Sequence, residues 1–501
     1  MTSKEDFETA KNILREELGG MEKLSSDLFS LFNSTLSAFD SSSVWSFLFE
    51  LVQNAIDAKA ENISFSLDGN DKLNFQHDGK KPLTTNDVKG LCGFSLSNKG
   101  LKTVGFMGLG FKSFTRFFER VEISDEGIRF SIEAPWVEGL QPDLKKLYQP
   151  EWLDQEPTRK PGMLTRFTFT KPRPNTIESL KSADENLEST SLAVFGRRGL
   201  KTITFLEYKI TIDEIDNSKN LFRVGKVGED DDEDEYHHLI IEKERNLSEN
   251  AIKQLRARRN LLLDEEAKKT TELKRKVRLL KEVDYTTDEQ DSSVLIPKPM
   301  NKGKMFCLVR LGDNFPFPFK IGIDTDWILK GTTRESLETQ DMAGDWHREL
   351  LEMVPELIRD YLDSMPTQTN PENRKRWLDV FPDPNSREPH LGLEFLETDD
   401  FKELMKKSLS DCKFVLCEDG ETRTPTEVSD MPKKKPGMTD SGYTKFIRDC
   451  FDCPILETES LEPSTLRYLK WLGFLTFPKE EDINALSIQG LWEPNSNSST
   501  K

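Results

Sequence analysis

The chain has 501 residues, 35% of them hydrophobic and 32% charged, which describes several water-exposed domains and excludes both a membrane protein and a small disulfide-stapled fold. A formal net charge of −19 excludes a surface that attracts nucleic acid or anionic lipid as a whole and leaves only local patches for such work. Six cysteines are sparse for this length, and the acidic start MTSKEDFETAK lacks the order of a secretory signal, so the expected location is the cytoplasm, with the nucleus as the alternative.

From Glu5 to Phe39 apolar residues recur at helical spacing, which predicts an N-terminal helical lead. Asp40 and Ser41 to Ser43 then offer an N-cap to a helix on which Glu50, Asn54 and Asp57 fall at i, i+4 and i+7, on one face. Val44, Phe47, Leu48, Leu51 and Val52 supply its apolar side. Leu73 to His77 reads as a strand running into a turn at Asp78-Gly79. Gly105, Gly108 and Gly110 follow in a flexible segment that opens a helix at Phe111, Lys112 and Ser113. Val121 to Ile123 and Ile128 to Ile132 form a predicted hairpin, and Gly162 to Phe169 a further strand carrying Thr165.

The acidic run Glu229 to Glu235 reads as a loop or linker. Glu242 to Val283 is rich in Glu, Lys, Arg and Leu, with Leu247, Ile252, Leu255, Leu262, Leu273, Val277 and Leu280 as a stripe, which predicts a helical hairpin or short coiled coil. Its basic residues run from Lys253 to Lys281. Beyond Val354 helices and short strands mix, and the polar tail from Glu493 reads as disordered. Cys412 and Cys417 with Cys450 and Cys453 have spacings that could offer four thiolates to zinc, although ordinary buried thiols are the commoner outcome.

Taken together, the run Glu50 to Ala58 (ELVQNAIDA), the Asp78-Gly79 turn and the glycine segment Gly105 to Ser113 resemble the GHKL ATPase superfamily of gyrase B, heat-shock chaperones, histidine kinases and MutL. The wording FQHDGKKP, SNK at Ser97 to Lys99, VGFMGLGFKSF and the later FPFPFKIGIDTDWILKGTTRESL is similar to the sacsin and Nov type of N-terminal ATP-binding domain. That resemblance spans roughly Asp27 to Trp346, with gaps. It implies an α/β protein: a GHKL (Bergerat) two-layer α/β sandwich ATPase domain with its helical lead over 1–200, an α/β transducer-like domain over 201–353 carrying the helical coiled-coil insertion at 242–283, and a mixed C-terminal region over 354–501.

The implied cofactors are ATP and Mg²⁺, and the resemblance assigns the roles. Glu50 activates the attacking water, Asn54 gives its amide oxygen to the metal, and Asp57 sits at the edge of the same site. Asp78 accepts the adenine amine, with Gly79 beside the base. The strand that begins Gly-Thr in relatives reads Gly162-Met163 here, so the hydroxyl contact comes from Thr165 or a water, or is absent. Ser97 and Lys99 reach the phosphates from a short lid, where Gly105, Gly108, Gly110, Phe111, Lys112 and Ser113 surround them. Arg334 enters from the second domain to sense the γ-phosphate. A protein client handled in a chaperone-like or clamp cycle, with a nucleotide-dependent homodimer, stands first. An ATP-gated nucleic-acid clamp of microrchidia or MutL type, using 253–281, stands second, and a non-hydrolysing ATP-sensing module third; no membrane partner is expected.

Overall fold

The protein is described here from a computed structural model covering residues 3–21, 44–69, 71–92, 111–135, 146, 149–154, 161–182, 188–228, 233–258, 271–287, 293–307, 309–311, 316–329, 337–338, 340–367, 369–385, 393–429 and 454–475. Its N-terminal elements are helices α1 (Ser3–Met21), α2 (Val44–Asp57), α3 (Thr85–Cys92), α4 (Thr176–Lys181) and α5 (Ser189–Arg197). With them go a 3-10 helix at Phe111–Arg116 and strands β1 (Asn62–Asp68), β2 (Lys72–His77), β3 (Phe118–Ser124), β4 (Arg129–Glu133), β5 (Glu151–Trp152), β6 (Thr165–Pro172) and β7 (Thr202–Phe205). Strands β8 (Tyr208–Asp216), β9 (Leu221–Val227), β10 (Glu233–Asn246), β11 (Lys274–Thr287), β12 (Ser293–Pro297), β13 (Gly303–Cys307), β14 (Val309–Arg310), β15 (Pro316–Phe317) and β16 (Gly322–Asp324) follow. Later helices are α6 (Glu249–Arg258), α7 (Gln340–Leu351), α8 (Val354–Asp363), α9 (Pro371–Leu378), α10 (Asp399–Leu409) and α11 (Pro463–Trp471).

All of β1 to β16 belong to one mixed sheet, in the order β14-β13-β16-β11-β10-β9-β8-β7-β1-β2-β6-β3-β4-β5, with β12 on β11 and β15 on β13. The N-terminal part is antiparallel except where β1 meets β7 in parallel. Alternation decides which face is apolar. Ile63 and Phe65, Leu73 and Phe75, Val121 and Ile123, and Phe167 and Phe169 all enter one core with α1, α2, α4 and α5. Their neighbours on the other face are polar: Ser64, Asn74, Gln76, Arg166 and Thr168. Arg166 and Thr168 both donate to Asn74 Oδ1 there, at 2.7 and 3.1 Å.

Farther along, the sheet is buried on both faces. Ile240, Leu280 and Phe306 join the N-terminal core, whereas Leu239, Ile241, Val277, Leu279, Met305 and Cys307 point the other way into a second core. That second core is continuous from Leu221 to Leu475 and includes both Met353 and Val354, so the expected 353/354 boundary falls inside one packed unit.

The helical arm expected over 242–283 is corrected by the structure. Residues up to Asn246 and from Lys274 onward are strands, paired antiparallel from His237↔Val283 to Asn246↔Lys274, and α6 is helical among the described residues between them. The apolar stripe is shared between a helix and a strand: Ile252 and Leu255 on α6, Val277 on β11 and Leu247 and Leu273 beside them all pack into the second core. Residues 259–270 lie outside the described set. The acidic run also yields in part, since Glu233, Asp234 and Glu235 pair with Val227, Lys226 and Gly225.

Candidate functional site

Leu51, Val52, Gln53, Ala55 and Ile56 of α2 are buried, while Glu50, Asn54 and Asp57 are half-buried and share one stripe. The i, i+4, i+7 spacing therefore becomes a polar strip on an otherwise packed helix. Aromatic contacts hold that helix in place. Phe47 meets Phe169 of β6 edge-on with ring centroids 5.0 Å apart and stacks on Phe117 at 5.7 Å, and Trp45 stacks on Phe205 of β7 at 5.6 Å.

The C-terminal end of α2 is pinned to the turn after β2. Lys80 N–H donates to Ala58 O at 2.9 Å. A Cβ on Gly79 would sit 2.8 Å from His77 Nδ1 and 2.9 Å from Ala58 Cβ, so this position requires glycine for close approach. The carboxylate of Asp78 is engaged by the link between α2 and β1: Oδ1 accepts from the amides of Glu61 and Asn62, both at 2.8 Å, and Oδ2 accepts from Asn62 Nδ2 at 2.6 Å. His77 points the opposite way. Its cross-strand partner on β1 is Ile63, a residue of the N-terminal core, and its ring lies 5.7 Å from that of Phe75 and 6.4 Å from that of Phe167. Burial, opposed only by nearby Asp78, pushes its pKa down to about 4, so the ring is neutral near pH 7. Nδ1 accepts the Gly79 N–H at 3.1 Å, which puts the ring proton on Nε2.

Directly across from His77, on β6, stands Thr165. It is 1% exposed, and its hydroxyl has no hydrogen-bond partner among the described residues. A buried hydroxyl left this way costs free energy, and such groups call for an explanation. One residue pair along, Phe167 meets Phe111, the first residue of the 3-10 helix, at 5.7 Å. Phe111, Lys112 and Ser113 are all buried. Lys112 faces inward: Nζ donates to Gly90 O of α3 at 3.1 Å, and burial draws its pKa down to about 8. Lys112 thus ties α3 to the 3-10 helix from behind the site.

The structure therefore brings Glu50, Asn54, Asp57, Asp78, Gly79, Thr165, Phe111, Lys112 and Ser113 into one neighbourhood, with the carboxylate of Asp78 and the ammonium of Lys112 turned to structural partners. Ser97, Lys99, Gly105, Gly108, Gly110 and Arg334 lie outside the described residues. Sequence reasoning passed over His77, although the period of Leu73, Phe75 and His77 was the signal that puts it on the inner face.

Among the described residues of the basic run from Lys253 to Lys281, several turn away from the surface. Arg275, Arg278 and Lys281 are buried. Arg278 reaches Asp324 Oδ2 at 2.9 Å and Glu242 Oε2 at 2.8 Å, Lys276 reaches Glu242 Oε1 at 2.6 Å, and Arg275 reaches Asp326 at 3.1 Å. Cys412 and Cys417 are buried free thiols, Cys412 bonding Asp363 at 3.1 Å; Cys450 and Cys453 lie outside the described residues, and among those described no group of three or more His, Cys, Asp and Glu side chains is placed to hold a metal by itself. Among the described residues no helix is long and apolar enough to cross a membrane.

No protein-family model and no curated protein matches the sequence. Among solved structures, the chain is similar to the B-subunit of DNA gyrase from Myxococcus xanthus, at 10% identity and a TM-score of 0.33, over 63% of this chain and 90% of that one. It is also similar to the N-terminal domain of a DNA repair protein, at 10% identity and a TM-score of 0.29, over 60% of this chain and 90% of that one. Likeness at these scores fixes neither family nor activity.

Proposed function

We propose that this chain binds ATP with magnesium, hydrolyses it, and uses the cycle to open and close a clamp on a protein client. The observation that carries the reading is the meeting of three sequence motifs in one place: the polar strip of α2, the His77 to Gly79 turn pinned to its end, and the 3-10 helix that follows the glycine segment. The unpartnered, buried Thr165 hydroxyl beside them fits a site built to receive a polar ligand. The donor set also fits the metal, since an amide oxygen beside carboxylates suits a hard cation that keeps several waters.

When bound, magnesium supplies neutralisation of phosphate charge. Asn54 would hold it through its amide oxygen. Glu50, one turn earlier on the same strip, orients a water and takes its proton, and Asp57 orients groups at the strip's far end. By the sequence resemblance, Gly105, Gly108, Gly110, Ser97 and Lys99 would serve the phosphates and Arg334 would sense the nucleotide. Pairing of Arg275, Lys276 and Arg278 with carboxylates takes three residues of the basic run out of the set a nucleic-acid clamp would use, which favours a protein client.

Glu50→Ala should bind ATP within about threefold of the wild type in calorimetry and lose at least about 100-fold in phosphate release, the size of effect that a positioned base supplies. Unchanged release would dispose of the assignment and leave a nucleotide sensor.

A further inference from the structure

We infer that the base is read by His77 and Thr165 acting as a pair, and that Asp78 serves the fold instead. The inference rests on the nucleotide reading above and gives its base end a chemistry. Residues 62 and 78 share the outer face of β1 and β2, where all three donors to the Asp78 carboxylate come from Glu61 and Asn62. Residues 63 and 77 share the inner face, next to the end of α2. Moving one position along a strand moves a side chain to the other face, so a carboxylate at 78 and an imidazole at 77 cannot exchange places without a register slip.

The inner pair has a definite polarity. Nδ1 of His77 is occupied by the Gly79 N–H, so Nε2–H is a donor. Thr165 stands directly opposite, and its hydroxyl accepts as well as donates. Side chains directly opposite in an antiparallel pair have Cβ atoms roughly 5 Å apart, close enough for one edge of a purine to meet both. Adenine carries an acceptor ring nitrogen next to its 6-amino group on each of its two polar edges. Nε2–H of His77 donates to that nitrogen, N1 or N7, and Thr165 Oγ1 accepts from the amine. A carboxylate at this place would demand a donor from the base; the imidazole demands an acceptor. The aromatic surroundings of Phe75 and Phe167 keep both bonds away from bulk water.

The test is calorimetry on the full chain with ADP, 1-deaza-ADP, 7-deaza-ADP and the diphosphate of purine riboside, which lacks the 6-amino group. Wild-type protein should lose about tenfold in affinity for one of the two deaza analogues and about tenfold for the purine-riboside compound, the size expected of one hydrogen bond each. His77→Phe, which keeps the ring and removes the donor, should bind ADP and both deaza analogues alike. Thr165→Val should bind ADP and the purine-riboside diphosphate alike, and Asp78→Asn should keep the wild-type preferences. Wild-type protein indifferent to both ring nitrogens, or preferences that vanish in Asp78→Asn and persist in His77→Phe, would overturn the base assignment while leaving nucleotide binding intact. Wild-type protein that binds neither ADP nor ATP would overturn both.

Discussion

One sheet runs through both cores, and its two halves treat polar side chains differently. Around β10, β11 and β16 the charges are buried and matched: Asp324, with no exposure, lies 3.0 Å from Arg198 at the end of α5 and 2.9 Å from Arg278. Burial alone would lower the pKa of Arg198, but Asp324 and Asp326 outweigh it and raise it instead. Around β2 and β6, by contrast, the hydroxyl of Thr165 is buried with nothing to bond among the described residues. Matched buried charge joins parts of a fold, whereas an unmatched buried hydroxyl beside a polar strip is a group that a ligand can complete, unlike the ring of His238 on β10, whose nitrogens are unmatched inside the core. Both are polar groups out of water, and only the partner tells them apart.

The sharpest way to break this contrast is Asp324→Ala. It takes from Arg198 and Arg278 the one fully buried carboxylate they share, leaving Asp326 to the first and Glu242 to the second, and should cost about 3 kcal/mol in urea unfolding. A loss below about 1 kcal/mol would mean that the network is ornamental.

Next in size is an acid effect from His77. Its folded-state pKa of about 4 lies below the ordinary 6.5, so the unfolded chain takes up the proton first. The His77 contribution is complete above pH about 6.5, falls as pH drops, and is gone near pH 4, a swing of about 3 kcal/mol by the usual conversion. His347, drawn to about 4, and His238, drawn to about 3, act with the same sign. Comparing wild type with His77→Phe across that window isolates one of the three. Equal slopes would show that His77 is not desolvated as described.

Asp78→Asn should cost about 1–3 kcal/mol, because an amide cannot accept at both oxygens from the Glu61 and Asn62 groups. The smallest effect belongs to exposed pairs: Arg245→Ala, which breaks contacts with Glu352 at 3.2 Å and Glu356 at 3.3 Å, should change stability by less than about 1 kcal/mol.

What the sequence made legible follows the same division. The strip on α2, the β3–β4 hairpin and the strand through Thr165 each have one buried and one polar side, so their periods stand out. The 274–283 segment, KRKVRLLKEV, misled because β11 is covered on both faces and carries its charges inside, in ion pairs that a hydropathy pattern cannot see. With alternation hidden, Glu, Lys, Arg and Leu content suggested a helix. At the base end, the carboxylate beside a glycine drew the eye to Asp78. The period of Leu73, Phe75 and His77, together with the pairing of Ile63 with His77, decides which of two adjacent residues faces inward.

The parallel contact between β1 and β7 has a consequence for biosynthesis. Lys201 and Glu61, 140 positions apart, bridge at 2.8 Å beside it. While the chain is being made, the Asn62 to Phe65 edge must wait roughly ten to thirty seconds for its neighbour to leave the ribosome, at usual elongation rates. During that interval it is a bare template for any extended peptide nearby. A recombinant fragment cut at residue 200 would make the wait permanent, and we expect it to come out insoluble where a longer piece that retains β7 to β11 does not.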